Sequence, residues 1–324
     1  MDKGMHAFAE IIGAVAVKSG FLAKQGCLNQ EYKPNQQGPE KMQHEKNFRK
    51  REIRINLCMD KRIAFNGAQG YYKTEGKGKV VMLVHGFIED GSMWDGMLAG
   101  LKKNYKVIVP DLPGFGKSVL TNDELSMEYY AEYLYAILKA EKVGKLILLG
   151  HSMGGYVALN FAEKYGPMLA GFGLVNSHCF EDTQQKKENR LKGIEFMQRN
   201  GTQFFIRELY LSIFHESFKK KHRKLIDALI EKAQKYSLGA CMEASTAMMN
   251  RKDKSEVLKN AQVPVLFING EHDEAAPVAY TLKQAAYPAN ADFNLFEQCK
   301  HMSVFERKAE TLKIIAAFCK RTFK

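Results

Sequence analysis

The sequence predicts an α/β fold, with a mostly parallel central sheet, helices on both faces and an inserted helical cap. From about residue 60, short continuous apolar runs alternate with stretches of helical periodicity. This pattern is typical of strands that are buried on both faces and joined by helical crossovers. Between Val175 and Val265, roughly ninety residues show helical periodicity without a convincing strand, which is too long for a crossover. We therefore expect this interval to form a cap over the C-terminal edge of the sheet.

The composition is that of a globular chain. Of its 324 residues, 45% are hydrophobic and 26% are charged, which argues against a largely disordered or collagen-like protein. No apolar run reaches roughly 18 residues, so we expect no membrane span. The net charge of +12 is compatible with an acidic partner, but no nucleic-acid-binding module is recognisable, and we expect no nucleic acid. The cysteines are scattered without a C-x-x-C pair, which favours reduced thiols in a cytoplasmic protein: Cys27, Cys58, Cys179, Cys241, Cys299 and Cys319.

Residues 1–58 are predicted to be a disordered or helical N-terminal appendage without catalytic residues. Residues 5–22 resemble a signal peptide only faintly, because Glu10 and Lys18 bound a short apolar stretch and no small-x-small site follows before Cys27. Residues 29–50 are rich in Gln, Lys, Glu, Asn and Pro, so they cannot bury enough apolar surface to offset the entropy of ordering.

The core elements follow in chain order. We assign residues 59–177 and 261–324 to the α/β core and residues 178–260 to the helical cap. The apolar runs predict strands at Lys79–Val84, Val107–Val109, Leu146–Leu149, Gly171–Val175, Val265–Ile268 and Asp292–Phe296. Helical periodicity in the core is clearest at Met127–Glu141, Tyr156–Tyr165 and Thr311–Lys320.

The segment from Gly150 to Gly155, GHSMGG, directly follows a predicted strand and opens a predicted helix. This is the context of a G-x-S-x-G nucleophile elbow, in which a sharp turn holds the central Ser152 in a strained backbone conformation. Small neighbours two residues away on each side make that turn possible. The hydroxyl group is then exposed above the sheet edge, at a helix N-terminus that favours negative charge.

A serine nucleophile needs a base, and the base needs an acid that orients it. Asp273 follows the strand that ends at Ile268, and His301 follows the strand that ends at Phe296, so both lie at the edge where open α/β sheets bind ligands. Glu271 and Glu274 are alternative candidates for the acid. After the first apolar strand, His85-Gly86-Phe87 brings the backbone N–H of Phe87 to the same edge, where it can pair with that of Met153 as an oxyanion hole.

Five segments resemble motifs of the α/β-hydrolase superfamily in the same order and over roughly residues 60–324: residues 85–87, 111–118, 150–154 and 269–273, and His301. Within this superfamily the chain is most similar to capped, serine esterase-like members. The resemblance implies the α/β-hydrolase fold, a triad of Ser152, Asp273 and His301, no metal and no organic cofactor. Members that act as epoxide hydrolases or haloalkane dehalogenases use an Asp nucleophile, so the serine at position 152 disfavours those activities.

The sequence therefore predicts a serine hydrolase that cleaves small-molecule carboxylic esters of small to medium acyl groups through an acyl-enzyme intermediate. A carbon–carbon bond hydrolase, a lactonase, a thioesterase and a lyase remain alternatives, because the same triad serves all of them. A non-catalytic binding protein is a remoter alternative, since all three triad residues are present.

Substrate selection is expected to involve the cap. The candidate substrate-binding residues are Trp94, His178, Phe205, Leu209 and Phe214. Residues 180–260 contain 17 Lys and Arg against 11 Asp and Glu, and the densest basic run is residues 219–224, KKKHRK. Such runs usually form a solvated helix face. The alternative is that this run recruits an acidic carrier protein that presents the acyl group.

Overall fold

The computed structural model describes residues 59–120 and 125–324. The predicted N-terminal appendage, residues 1–58, lies outside the described residues, together with Cys27 and Cys58. The four cysteines within the described residues are buried free thiols: Cys179, Cys241, Cys299 and Cys319.

Eight strands form one sheet, in the spatial order β1-β2-β4-β3-β5-β6-β7-β8. All neighbours pair in parallel except β1 with β2 and β2 with β4, which pair antiparallel. The predicted mostly parallel α/β sheet is therefore confirmed. The strands are β1 (Met59–Phe65), β2 (Ala68–Glu75), β3 (Val80–Val84), β4 (Lys106–Asp111), β5 (Leu146–His151), β6 (Leu169–Val175), β7 (Val265–Gly270) and β8 (Ala291–Phe296).

The sequence patterns did not predict the hairpin of β1 and β2. Both strands are rich in polar and exposed residues, so they lack the apolar runs that identify the other six. A local signal was nevertheless present at Asn66-Gly67, where both residues have positive φ angles of 44° and 77°. An Asn-Gly pair of this kind is the usual two-residue connection of a tight hairpin, and it makes the first strand pair antiparallel.

Helices cover both faces of the sheet and form a separate hydrophobic core on each face. Successive side chains of β3 point into opposite cores. Met82 packs with the apolar faces of α2 and α3. Leu83 packs on the other face with α1 and α12. The helices are α1 (Asp95–Leu101), α2 (Met127–Ala140), α3 (Met153–Tyr165), α4 (Gln184–Asn200), α5 (Thr202–Ile213), α6 (Glu216–Lys221), α7 (Arg223–Ala233), α8 (Leu238–Asn250), α9 (Ser255–Lys259), α10 (Val278–Ala285), α11 (Ser303–Glu306) and α12 (Lys308–Thr322).

The interval between β6 and β7, all of which is described, contains the six helices α4 to α9 and no strand. We call α4 to α9 the insertion. It contacts loops that follow the parallel strands. The hydroxyl of Tyr210, on α5, donates a hydrogen bond to the Ile88 carbonyl at 2.8 Å. The carbonyl of Ile213, also on α5, accepts a hydrogen bond from the His301 N–H at 3.1 Å. The division of the chain into a core and a cap domain stays a prediction. No helix in residues 59–120 and 125–324 combines the length and apolar character needed to cross a membrane.

Candidate active site

Ser152 lies at the turn between the C-terminal end of β5 and the first turn of α3. Its φ and ψ angles are 51° and −115°, a conformation that a residue with a side chain rarely adopts. The turn is close-packed on both sides. A Cβ atom at Gly150 would lie 2.0 Å from the Gly154 carbonyl oxygen, and one at Gly154 would lie 2.6 Å from that of His85. Only glycine fits at either position, which is the steric condition that the sequence motif predicts.

Ser152, His301 and Asp273 form a continuous chain of hydrogen bonds. The Ser152 Oγ lies 2.8 Å from the His301 Nε2, and the His301 Nδ1 lies 2.9 Å from both carboxylate oxygens of Asp273. Because an ionised carboxylate only accepts hydrogen bonds, the Nδ1 must carry the proton. The Nε2 is then the acceptor for the serine hydroxyl, which is the arrangement of a general base.

The Asp273 carboxylate is fully surrounded by donors. Its Oδ1 accepts the N–H groups of Ala275 and Ala276 at 2.9 Å each, and its Oδ2 accepts the Asn176 amide at 2.9 Å. Burial alone would raise the pKa of Asp273. The charge and hydrogen bond of His301, with the Ala276 N–H and the Asn176 amide, outweigh burial and lower that pKa below its usual value. Asp273 therefore stays ionised beside the imidazole.

The alternative acids lie in other ion pairs. Glu271 pairs with His272 at 3.5 Å, and Glu274 pairs with Lys300 at 3.2 Å. About half of each glutamate side chain is exposed, whereas that of Asp273 is fully buried. The geometry thus supports Asp273 as the partner of His301.

Asn176 is a site residue that sequence reasoning missed. It follows β6 directly, has a positive φ of 49°, and its side-chain oxygen accepts a hydrogen bond from the Ser303 hydroxyl. Its amide nitrogen donates to Asp273 and to the Lys300 carbonyl at 3.1 Å, so one side chain ties together the loops that carry the acid and the base. Its position in the sequence could have identified it, because polar residues directly after a buried parallel strand lie at the ligand-binding edge.

The predicted oxyanion donors lie beside the elbow. A Cβ atom at Gly86 would lie 3.2 Å from the Ser152 Cβ, so the loop after β3 passes against the serine. Met153 is the first residue of α3, and its N–H, like that of Phe87, has no hydrogen-bond acceptor among the described residues. Their role as oxyanion donors stays a prediction.

A buried ion pair connects this loop with the elbow and with the base. The Glu89 Oε2 accepts the Gly86 N–H at 2.9 Å and lies 3.1 Å from the His151 Nδ1. The other ring nitrogen of His151 lies 2.9 Å from the His301 carbonyl oxygen. Sequence reasoning did not single out Glu89, whose role depends on contacts between residues far apart in the chain.

His85 has a structural environment as well. Its Nε2 accepts the Leu112 N–H at 2.8 Å, and its Nδ1 lies 2.8 Å from the Gly86 carbonyl oxygen. The ring is therefore neutral, with its proton on Nδ1, and it fixes the loop that precedes Phe87.

A cavity of about 420 Å³ opens beside His301, between the strand-end loops and the insertion. Three of the predicted substrate-binding residues line it: His178, Phe205 and Leu209. Phe87 also contributes to the wall. The cavity wall further contains Glu274, an alternative candidate for the acid, and four charged residues that the sequence did not identify: Lys186, Arg190, Lys300 and Glu181.

Trp94 and Phe214 do not line this cavity, and their predicted contact with substrate is corrected here. Trp94 is fully buried in the core on the opposite face of the sheet from α3, among the residues that pack on Leu83. Phe214 is fully buried between the rings of Phe218 and Phe305, with centroid distances of 5.5 and 6.2 Å. Large aromatic side chains gain the most from complete burial, so both serve packing.

No group of three or more His, Cys, Asp or Glu residues within 59–120 and 125–324 has an arrangement that could hold a metal ion.

Comparison with known proteins identifies the architecture. A family model described as alpha/beta hydrolase fold matches residues 79–308, which include all the strand-end loops described above. A solved thermophilic esterase from Thermogutta terrifontis is 28% identical, with a TM-score of 0.78 over 82% of this chain and all of that one.

Curated relatives show similar levels of identity. A pimeloyl-(acyl-carrier protein) methyl ester esterase from Aeromonas hydrophila is 28% identical over 254 residues, which are 75% of this chain and 96% of that protein. An uncharacterized protein from Mycobacterium tuberculosis is 29% identical over 133 residues. That alignment covers 40% of this chain and only 39% of the mycobacterial protein.

Proposed function

Because the chain belongs to the alpha/beta hydrolase fold family, we propose that it is a serine hydrolase of carboxylic esters with small to medium acyl groups. The observation that carries this proposal is the hydrogen-bond chain from Ser152 through His301 to Asp273, beside a cavity. A serine hydroxyl is a weak nucleophile until such a base removes its proton.

Acylation begins when the Ser152 Oγ attacks the ester carbonyl carbon and its proton passes to the His301 Nε2. The ring then carries a positive charge, which the ionised Asp273 stabilises across the two contacts of 2.9 Å. Negative charge develops on the carbonyl oxygen at the same time. The N–H groups of Phe87 and Met153 receive this oxyanion, and each such donor stabilises the transition state by roughly 3 kcal/mol.

The intermediate collapses when His301 gives its proton to the leaving alkoxide, which departs as an alcohol. The acyl group remains on Ser152 as an ester. Water then enters, His301 accepts one of its protons, and the hydroxide equivalent attacks the acyl carbon through a second tetrahedral intermediate. Release of the carboxylic acid returns the proton to the Ser152 Oγ.

The size of the cavity supports small to medium acyl groups. Its volume of about 420 Å³ lies at the lower end of the range of roughly 300–1,000 Å³ found for small-molecule sites. Phe87, Phe205 and Leu209 supply apolar wall that suits a short acyl chain.

The direct test is labelling with a fluorophosphonate probe, which reacts only with an activated serine. We expect labelling of the wild-type protein and of Ser217→Ala, which changes an exposed serine on α6. We expect no labelling of Ser152→Ala, and loss of turnover of p-nitrophenyl butyrate with the fold intact by circular dichroism. Labelling that persists in Ser152→Ala assigns the nucleophile to another residue and overturns the proposal.

We further propose that the acyl group can be presented by an acidic carrier protein. The basic run at residues 219–224 supports this, because Lys220, Lys221 and Lys224 are exposed and have no carboxylate within 4 Å among the described residues. A relative named for an ester of a carrier-bound acyl group is in keeping with it. Added salt should slow hydrolysis of a carrier-bound ester more than that of a free ester, and identical salt responses contradict the idea.

A further inference from the structure

One helix supplies a charged wall of the cavity. Lys186 and Arg190 are four residues apart on α4, and Gly193 follows three residues later, so all three lie on the same face of the helix. All three line the cavity that also contains His301.

The cations of this wall outnumber the carboxylates that pair with them. The Arg190 Nε contacts one oxygen of Asp182 at 2.5 Å, and an Arg251 nitrogen contacts the other at 2.8 Å. A single buried carboxylate is therefore shared by two guanidinium groups. The other acidic residues of the wall are already engaged, Glu181 with Lys187 at 3.8 Å and Glu274 with Lys300 at 3.2 Å.

Lys186 has no carboxylate within 4 Å among the described residues. Its Nζ donates to the Ala275 carbonyl oxygen at 3.0 Å, which leaves two of the three ammonium protons for another acceptor. Ala275 lies two residues after Asp273, so the ammonium group is held close to the loop that carries the acid.

Two titratable groups respond to this excess of positive charge. Burial, followed by the charge of Arg190, lowers the pKa of Lys186 to about 8. Burial, followed by the charges of Arg251, Lys186 and Arg190, lowers the pKa of His178 well below its usual value. An anion bound at this wall would offset the repulsion that both groups experience.

We propose that Lys186, with the Arg190–Asp182–Arg251 cluster behind it, forms a subsite for a carboxylate group of the substrate. The preferred substrates are then esters that carry a second, free carboxylate, such as half-esters of dicarboxylic acids. This inference rests on the proposed esterase function and names its substrate class. A singly charged carboxylate fits better than a phosphate dianion, because Asp182 already balances part of the charge of both guanidinium groups and only Lys186 has no carboxylate partner among the described residues.

The test compares kcat/KM for monomethyl glutarate with that for methyl pentanoate, a neutral ester of similar length. We expect the wild-type protein to prefer the anionic ester at least tenfold. Lys186→Met keeps the length of the side chain without its charge, and it should lower this preference at least tenfold, mainly through KM. Lys192→Met is the matched control, since Lys192 is an exposed lysine on the same helix that does not line the cavity, and its preference should equal that of the wild type.

Equal kcat/KM values for the two esters in the wild type, or an unchanged preference in Lys186→Met, overturn the subsite. Calorimetric titration with glutarate provides a readout that does not need turnover. We expect binding to the wild type and at least tenfold weaker binding to Lys186→Met, whereas no binding to the wild type also overturns the subsite. Loss of fluorophosphonate labelling, in contrast, bears on the proposed function alone.

Discussion

The two walls of the cavity are built in different ways. On the strand side, His301 lines the cavity after β8, and its hydrogen-bond partners Ser152 and Asp273 lie in the loops that follow β5 and β7. The carboxylate of Asp273 is satisfied by buried donors. On the insertion side, Lys186 and Arg190 extend from one face of α4 and are half-buried. The strand wall is fixed by backbone geometry, whereas the helical wall depends on the choice of side chains.

This difference indicates which residues determine the reaction and which determine the preferred substrate. Adding a side chain at Gly150 or Gly154 would disturb a turn that is close-packed against the loop after β3. Changing Lys186 alters a charge on a helix whose backbone is unaffected. We therefore expect substitutions in the strand wall to abolish catalysis and substitutions in the helical wall to change which ester is preferred.

The largest expected effect is that of Asp273→Asn on the strand wall. An amide cannot balance the charge of the imidazolium, and its NH2 group would face either His301 or the N–H groups of Ala275 and Ala276. We expect kcat to fall by about 10⁴-fold, as in other triads that lose the charge of the acid. Steady-state hydrolysis of p-nitrophenyl butyrate measures it.

Glu271→Gln is the control for that prediction, because Glu271 is an exposed carboxylate two residues away on the same loop. We expect its kcat to stay within about threefold of the wild type. A larger loss of kcat in Glu271→Gln than in Asp273→Asn would assign the role of the acid to Glu271. It would also contradict the expected difference between buried and exposed carboxylates.

The strand wall was largely predictable from the sequence because its signals are local. Gly150 and Gly154 flank the serine within one turn, and Asp273 and His301 each follow a recognisable apolar strand. The order of these segments along the chain is enough to bring them to one edge of a parallel sheet. The six apolar strands were predicted for the same reason, whereas the polar hairpin at the sheet edge was not.

The remaining features depend on contacts that no local pattern encodes. Glu89 and His151 meet across 62 residues, and Asn176 meets Asp273 across 97. Trp94 was a candidate substrate-binding residue, yet the tertiary structure buries it on the other face of the sheet. Lys186 belongs to a basic, polar helix, in which one lysine of several faces the cavity only because of how α4 packs.

An effect of intermediate size, on the stability of the fold, is expected for Glu89→Gln, which removes the charge opposite His151. Burial would lower the pKa of His151, but the charge and hydrogen bond of Glu89, with the His301 carbonyl and Asp273, raise it above its usual value. This contribution to stability is complete below about pH 6.5 and is lost as the pH rises through the higher pKa of the folded state. In that range the folded protein binds more protons than the unfolded chain.

Urea unfolding at several pH values measures this contribution. At pH 6 we expect Glu89→Gln to lower the free energy of unfolding by about 3–5 kcal/mol, because a buried charge loses its partner. The decline of stability in the wild type above pH 6.5 should become shallower in the variant. Glu195→Gln, which alters an exposed pair with Arg199, should retain the wild-type slope. Equal slopes in the wild type and Glu89→Gln would show that His151 does not depend on Glu89.

The smallest expected effect is the pH dependence of the preference for the anionic ester, which depends on Lys186 in the helical wall. Lys186 has a pKa of about 8. The charged groups that face it are Arg190, Arg251, Asp182 and Asp273, and all four keep their charge between pH 6.5 and 9.5. As the pH rises through 8, the ammonium group loses its proton, so the preference for monomethyl glutarate over methyl pentanoate should fall severalfold. Any effect of pH on the reaction steps that the two esters share cancels in the ratio. Lys186→Arg keeps its charge throughout and should hold the preference constant to pH 9.5, whereas a parallel decline in that variant would trace the pH dependence to another group.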